Sequence, residues 1–332
     1  MIFTLLYFKR MKTAILFLFL VFISFSTFSQ KKSSVKIYKY YDWQWKEADP
    51  KYARFYSILM QTDSGWHRQD YFINARSLQM EGWYDDSTCK IANGEFSYYY
   101  ANRLLMSKGR YVHGYKEGSW VQYHPNGMLE DSGFYENNRL VGNYLVWYQN
   151  GYLADSLEMH VDGSGVEVGW FDNGNLSFAG LFSTNNKKHG KWKYYHKNGN
   201  ISAEEIFDNG VLVDKHFFDE NGKPNADTSN RDHDASFGKK DMDWLNYLSN
   251  RIYWPPAYKI ENSDKVTIVV AFTIDESGKV CNPYVDTPFD PKFDDIAIEA
   301  VRHSPTWSPA VRHNRKIQMI IRQAVTFNQP DN

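Results

Sequence analysis

An Asn-Gly pair recurs along the middle of this chain at a nearly constant step, and no other feature limits the fold as much. Asn126-Gly127, Asn150-Gly151, Asn173-Gly174, Asn198-Gly199 and Asn221-Gly222 follow one another at steps of 24, 23, 25 and 23 residues. Asn102 lies 24 before Asn126, with Arg103 in the glycine position. Three residues before each Asn stands an aromatic: Tyr99, Tyr123, Trp147, Trp170, Tyr195 and Phe218. Eight before it stands Gly94, Gly118, Gly142, Gly165 or Gly190. Two beyond that glycine come Phe96, Trp120, Tyr144 and Trp192, with Glu167 breaking the pattern. A period held over this many copies marks a repeat architecture.

Each unit reads as strand, turn, strand. Asn-Gly accepts positive φ at both central positions and predicts a type I′ hairpin turn. Short return strands follow at Gly109-Arg110-Tyr111, Gly133-Phe134-Tyr135 and Gly180-Leu181-Phe182. A lone hairpin is marginal in water, so the units must bury their aromatics on one another. The expectation is a mainly β array of stacked antiparallel hairpins over residues 94–222. Asn126, Gly127, Asn150, Gly151, Asn173, Gly174, Asn198 and Gly199 are its structural turns. Residues 30–93 read as an N-terminal β region with a degenerate unit between Asp63 and Tyr84, and Lys215 to Gly222 as a cap. Aromatics make up 17% of the chain, which excludes a disordered protein. At fixed positions they read as packing of the sheet; the alternative is an exposed aromatic row that binds glycan.

Gly118-Ser119-Trp120, Tyr123, Asn126-Gly127, Leu129 and Gly133, and again Gly190-Lys191-Trp192, Tyr195 and Asn198-Gly199, resemble the MORN-variant repeats of the YwqK-like family. The resemblance runs from about Gly94 to Gly222. It implies a scaffold or interaction surface. The antitoxin label of that family does not suit a chain with an export signal.

Such a signal stands at the amino terminus. Lys9, Arg10 and Lys12 precede the unbroken apolar run Ala14 to Ile23, and small residues at Thr27 and Ser29 suit cleavage before Gln30. Residues 1–29 therefore read as a signal peptide starting at Met11, and the mature chain as a protein of the periplasm or cell envelope. The run is short of the ~20 residues of a membrane span. Retention of residues 14–28 as an anchor, with membrane association, is the alternative. Cys89 and Cys281 are the two cysteines, too few for a disulfide framework or a multi-Cys zinc site. They read as isolated thiols, whose pairing in an oxidising compartment the sequence leaves open. Lys and Arg number 38 against 39 for Asp and Glu, so no basic excess is available to grip nucleic acid.

Residues 223–240 are polar and read as a linker. From Asp241 the pattern changes. Trp244, Leu245, Leu248 and Ile252 predict a helix, Val266 to Ile274 a strand, and Lys279 to Val285 a second strand after the turn Asp275 to Gly278. Phe293, Ile296, Ala297, Ala300 and Val301 form one face of a second helix, and Ile317 to Phe327 a final strand.

Tyr253-Trp254-Pro255, Asp275-Glu276-Ser277-Gly278 and Trp307-Ser308-Pro309, in this order around those elements, resemble the TonB carboxy-terminal domain over residues 241–328. The resemblance implies a small α+β fold, two helices on a three-stranded antiparallel sheet. Tyr253, Pro255, Asp275, Gly278, Trp307 and Pro309 are its structural motif residues. It further implies binding of a peptide from an outer-membrane transporter by strand addition to a sheet edge. The matching edge is the final strand, with Lys316, Gln318, Arg322 and Thr326 outward, Ile317, Met319, Ile321 and Val325 inward, and Lys316, Gln318, Ile320, Arg322 and Ala324 as its candidate peptide-binding residues. Lys316 and Arg322 there steer an acidic partner or keep the edge soluble.

Two features depart from that family's energy transducers. No His or other ionisable residue lies between Thr13 and Ser29, and no Pro-rich spacer crosses to the domain. The repeats take the spacer's place, as a rod of roughly 50 Å that presents the domain at a distance. No nucleophile elbow, zinc-protease helix or phosphate loop is present. His233 between Asp232 and Asp234 matches no metal-ligand spacing. The chain thus reads as non-enzymatic, without cofactor or metal, with a protein or peptide partner in the envelope. A membrane-anchored TonB-type transducer is the alternative, and a glycan-binding repeat protein the second.

Overall fold

The computed structural model describes residues 36–330 other than 262; the signal segment and its alternative anchor lie outside them. Strand follows strand from Lys36–Tyr41 to Pro224–Asn225, each pairing antiparallel with its sequence neighbours in one 17-stranded sheet. Leu129–Glu136 pairs with both Arg139–Leu140 and Gly142–Trp147, two pieces of one bulged strand. The region before residue 94 continues the meander with full hairpins of Phe55–Thr62, Gly65–Phe72 and Ser77–Tyr84.

The Asn-Gly turns are not of type I′. Gly127 N–H donates to His124 O at 2.8 Å, and His124 N–H to Met128 O at 2.8 Å. Gly127 has φ +84° while Asn126 stays at negative φ. This is a three-residue loop, a type I turn closed by a left-handed glycine and its bulge. The same bonds recur at Tyr148–Gly151, Phe171–Gly174 and His196–Gly199. Type I′ geometry, with both central residues at positive φ, occurs at the opposite ends of the strands. His113-Gly114, Asn137-Asn138 and Asn209-Gly210 adopt it.

Asn is required for a different reason. Its Oδ1 accepts the N–H two residues on, at 3.0 to 3.1 Å for Asn126, Asn150, Asn173 and Asn198. Its Nδ2 donates to a carbonyl of the next repeat: Gln149, Asp172, Lys197 and Glu220 in turn. A second ladder runs beside it. Tyr100, His124, Tyr148 and His196 each bond to the carbonyl of the next unit's strand-end aromatic, at 2.7 to 3.0 Å. Each turn is thus tied to the next by side chains as well as by strands.

The aromatics supply the packing between units. Trp192 is 1% exposed and lies flat on Gly180, where an added Cβ would stand 2.0 Å from the indole. Its indole N–H donates to Leu181 O at 3.0 Å. Trp120 repeats the arrangement on Gly109, donating to Arg110 O at 3.2 Å. Only glycine admits so close an approach.

The carboxy-terminal domain has the expected order. Lys265–Ile274 is the central strand, between Val280–Thr287 and Met319–Asn328. The helices Asp241–Ser249 and Pro291–Arg302 cover one face. Ile268, Val270, Phe272, Phe293, Ala297 and Val301 form the dry centre between them.

The linker is not free and the domain is not held at a distance. The described residues form one compact unit. His233 and Ser236 exchange backbone bonds with Val311 and Ser308, and Phe237 packs on Trp244, Tyr247 and Trp307. The domain lies along the turn ends of the array. Arg54 donates to Thr267 O at 2.9 Å and to Pro288 O, and Tyr100 meets Tyr284 edge-on at 5.8 Å. Lys197 bridges Asp172 at 2.6 Å and Glu276 at 2.8 Å.

Candidate partner-binding site

The three-stranded sheet has two edges, and they differ in kind. Val280–Thr287 carries Pro283 in its middle, pairs irregularly with the central strand, and lies against the array turns. Proline removes a donor and blunts an edge. Met319–Asn328 contains no proline and pairs with the central strand through ten successive residues without a register shift. Its other side pairs with no strand among the described residues. Its outer N–H and C=O groups are left without a strand partner, and the Ala324 carbonyl accepts the Gln323 side-chain amide at 2.7 Å.

Side chains alternate along this strand. Val325 and Phe327 enter the core, and Ile321 packs against it. Ile320 is 56% exposed on the opposite face, with Arg322 and Thr326 beside it and Ala324 half-buried. Arg322 lies 3.9 Å from Asp286, whose carboxyl burial pushes up and Arg322 draws back down.

Two of the five residues expected on the edge are elsewhere. Arg315–Ile317 forms a separate hairpin with Ala310–Arg312, turned by His313 and Asn314 at positive φ. Lys316 therefore lies opposite Val311 and pairs with Glu220 of the array at 3.5 Å. Gln318 falls between hairpin and strand and donates to Asp172 at 3.2 Å. The final strand thus begins at Met319, because the chain from His313 to Gln318 serves to dock the domain. His313 stacks on Tyr194 at 3.8 Å and bonds Glu205 at 2.8 Å. Arg315 is buried, over the Tyr194 ring and bonded to Ser177 at 3.1 Å. These docking residues carried no signal in the sequence beyond ordinary polar composition.

Asp275, Gly278 and Trp307 of the motif shape a turn and the core. Asp275 Oδ1 accepts the N–H groups of Ser277 and Lys279, and Gly278 takes φ +84° with Trp307 O where a Cβ would stand. Trp307 is buried in the core. Tyr253 is 60% exposed and Pro255 is buried. Pro309 sits between Trp307 and the docking hairpin. Cys89 and Cys281 are both free thiols.

Between the array turns and the face of the small sheet opposite its helices lies a cavity of about 630 Å³. Trp147, Tyr148 and Asp172 wall it from the array, and Thr273, Glu276 and Ile320 from the domain. Ile320 belongs to both the open edge and the cavity. Among the described residues no group of three or more His, Cys, Asp or Glu is arranged to hold a metal, and no helix is long and apolar enough to cross a membrane.

Residues 252–329 match the family model for the Gram-negative bacterial TonB protein C-terminal. Residues 116–137 and 188–209 match the MORN repeat variant. No curated protein matches the chain. The chain thus joins MORN-variant repeats to a TonB C-terminal domain. These are non-catalytic families. The TonB match supports a TonB-like role in envelope transport, with a protein partner at the Gram-negative envelope.

Proposed function

We propose that this chain, MORN-variant repeats carrying a TonB C-terminal domain, is an exported, non-enzymatic envelope protein that captures an extended protein segment as an added strand. Export rests on the apolar run Ala14 to Ile23 and its basic flank. The partner class is the periplasmic segment of an outer-membrane transporter. The observation that carries the reading is the contrast of the two edges: Pro283 blunts one, and Met319–Asn328 leaves the other regular and without a strand partner among the described residues. Backbone bonds along such an edge supply affinity, and alternate side chains supply choice.

Photo-crosslinking in the producing cells tests it. A crosslinking residue at Ile320 or Thr326 is expected to capture a transporter segment identifiable by mass spectrometry. The same residue at Val161, on an exposed turn of the array, is expected to capture none. Crosslinks from Val161 with none from the last strand would remove the edge from the mechanism.

A further inference from the structure

The cavity beside the open edge is built from both halves of the molecule, and its lining is electrically one-sided. Glu130, Asp172, Asp275 and Glu276 line it, and no Lys or Arg does. Asp275 is engaged by its own turn. Lys197, outside the lining, bonds Asp172 and Glu276 together. Glu130 has only the Gln122 amide at 2.9 Å and His124 at 3.9 Å. Asp172 also accepts the Gln318 amide at 3.2 Å. Two cations, Lys197 and the buried Arg315 bonded to Ser177 of the lining, thus stand against four carboxylates, and Glu130 is bonded to neither. Trp147 and Tyr148 add aromatic surface, which attracts cations through the ring face. Two weak acids in the cavity register the same field. Burial pushes the Tyr148 hydroxyl up, and Glu276 and Asp172 push it further against the opposing Arg315 guanidinium. The Cys281 thiol is raised by burial and then by Asp275.

A segment added along Met319–Asn328 lies ~4.8 Å beyond it, and its side chains alternate between faces. Those on the face of Ile320 point toward the array side, where Ile320 borders the cavity. We propose that the cavity receives a long cationic side chain, Lys or Arg, of the captured segment, so that array and domain together read one extended peptide. The inference rests on the strand-addition reading and adds to it a determinant of specificity that lies in the repeats. The repeats then act as half of the binding site, and docking the domain on the array is what creates that half.

Fluorescence anisotropy on the full chain tests this with three labelled peptides of alternating Thr and Val around a central Lys, norleucine or Glu. The Lys peptide is expected to bind about tenfold more tightly than the norleucine peptide, equivalent to about 1.4 kcal/mol, and the Glu peptide most weakly. Glu130→Gln or Glu276→Gln should bring the Lys advantage below about threefold. Glu136→Gln, an exposed residue at the opposite strand ends, should leave it intact. Equal binding of all three peptides overturns the cavity inference while strand addition stands. A Lys advantage that survives both cavity variants also overturns it. Binding of none of the peptides overturns the edge as well. Unchanged circular dichroism of each variant separates loss of charge from loss of fold.

Discussion

The array and the domain solve the burial problem in opposite ways. In the domain, fourteen buried residues from both helices and the sheet meet in one cluster around Ile268 and Phe293. In the array, clusters are small and local: Met80, Phe96 and Trp120 form one, and Trp192, Tyr194, Ala203 and Phe217 another. Array units lean on their neighbours through aromatic-on-glycine contacts, such as Phe96 on Gly82, Trp120 on Gly109 and Trp192 on Gly180, through Asn bonds and, except at Phe171, through a Tyr or His bond. Stability in such a chain is close to a sum of neighbour terms, whereas a single core is lost all at once. The array can therefore spare its turn row for docking, and the domain can spare one sheet edge.

The sharpest way to break the comparison is to strike the single core. Phe293 is fully buried, and Phe293→Ala should cost about 3–5 kcal/mol. Hydrogen exchange is expected to speed up across Lys265–Ile274 and Met319–Asn328 while Lys187–Tyr195 stays protected. Equal loss in both would make array and domain one cooperative unit. The docking contact comes next. The Arg54 guanidinium bonds two domain carbonyls and covers the Phe289 ring at 4.7 Å. Burial lowers its pKa to about 10, with Asp294 opposing. Arg54→Ala should cost about 2 kcal/mol, the scale of hydrogen bonds from a charged group. It should raise exchange at Thr267 and Phe289 without reaching Lys187–Tyr195. A change spread evenly over the chain would show that Arg54 stabilises more than the contact.

What was legible follows the same division. The period, the return strands at Gly109, Gly133 and Gly180, and the inward alternation of Ile321 and Val325 are local rules, written within a few residues. The turn type was not, because Asn-Gly serves both two-residue and three-residue loops. The choice is made by the strand register that sets His124 against Met128. At Asn209-Gly210 the same dipeptide does form type I′, outside the period. Docking was illegible for a different reason. Arg54 and Pro288 are 234 positions apart, and nothing near either encodes the other. The resemblance and the alternation together put Lys316 and Gln318 on the edge, yet contacts to Glu220 and Asp172 hold them off it.

The Asn ladder gives a smaller, more local effect. Asn150→Ala removes the bond to Tyr152 N–H and the bond to Asp172 O. Both are exposed, so the expected cost is about 1 kcal/mol, read as a lower urea midpoint with unchanged slope. Asn150→Asp keeps the acceptor and loses the donor, and should recover about half. Equal loss in both variants would assign the whole effect to the bond between repeats.

The smallest expected effect is one of pH. Asp155 and Glu167 lie on adjacent array strands and face each other across the diagonal. Burial, then the Glu167 charge, pushes Asp155 up to about 7, and burial raises Glu167 as well. A carboxyl raised in the folded state holds a proton that the unfolded chain releases. Its contribution is complete below the ordinary carboxylate range and fades as pH rises toward 7. Array stability should therefore fall between pH 4 and 7, the reverse of a salt-bridged carboxylate. The slope stays below the ceiling of about 1.4 kcal/mol per pH unit for one proton, because solvent screens both half-buried groups. Asp155→Asn removes the like-charge term and should flatten the array's part of the profile, followed by exchange at Leu153–Met159. Protection that rises with pH in the unmodified chain would mean that the two carboxyls are compensated by a cation, and Lys188, in the field of Glu167, would be the group to replace next.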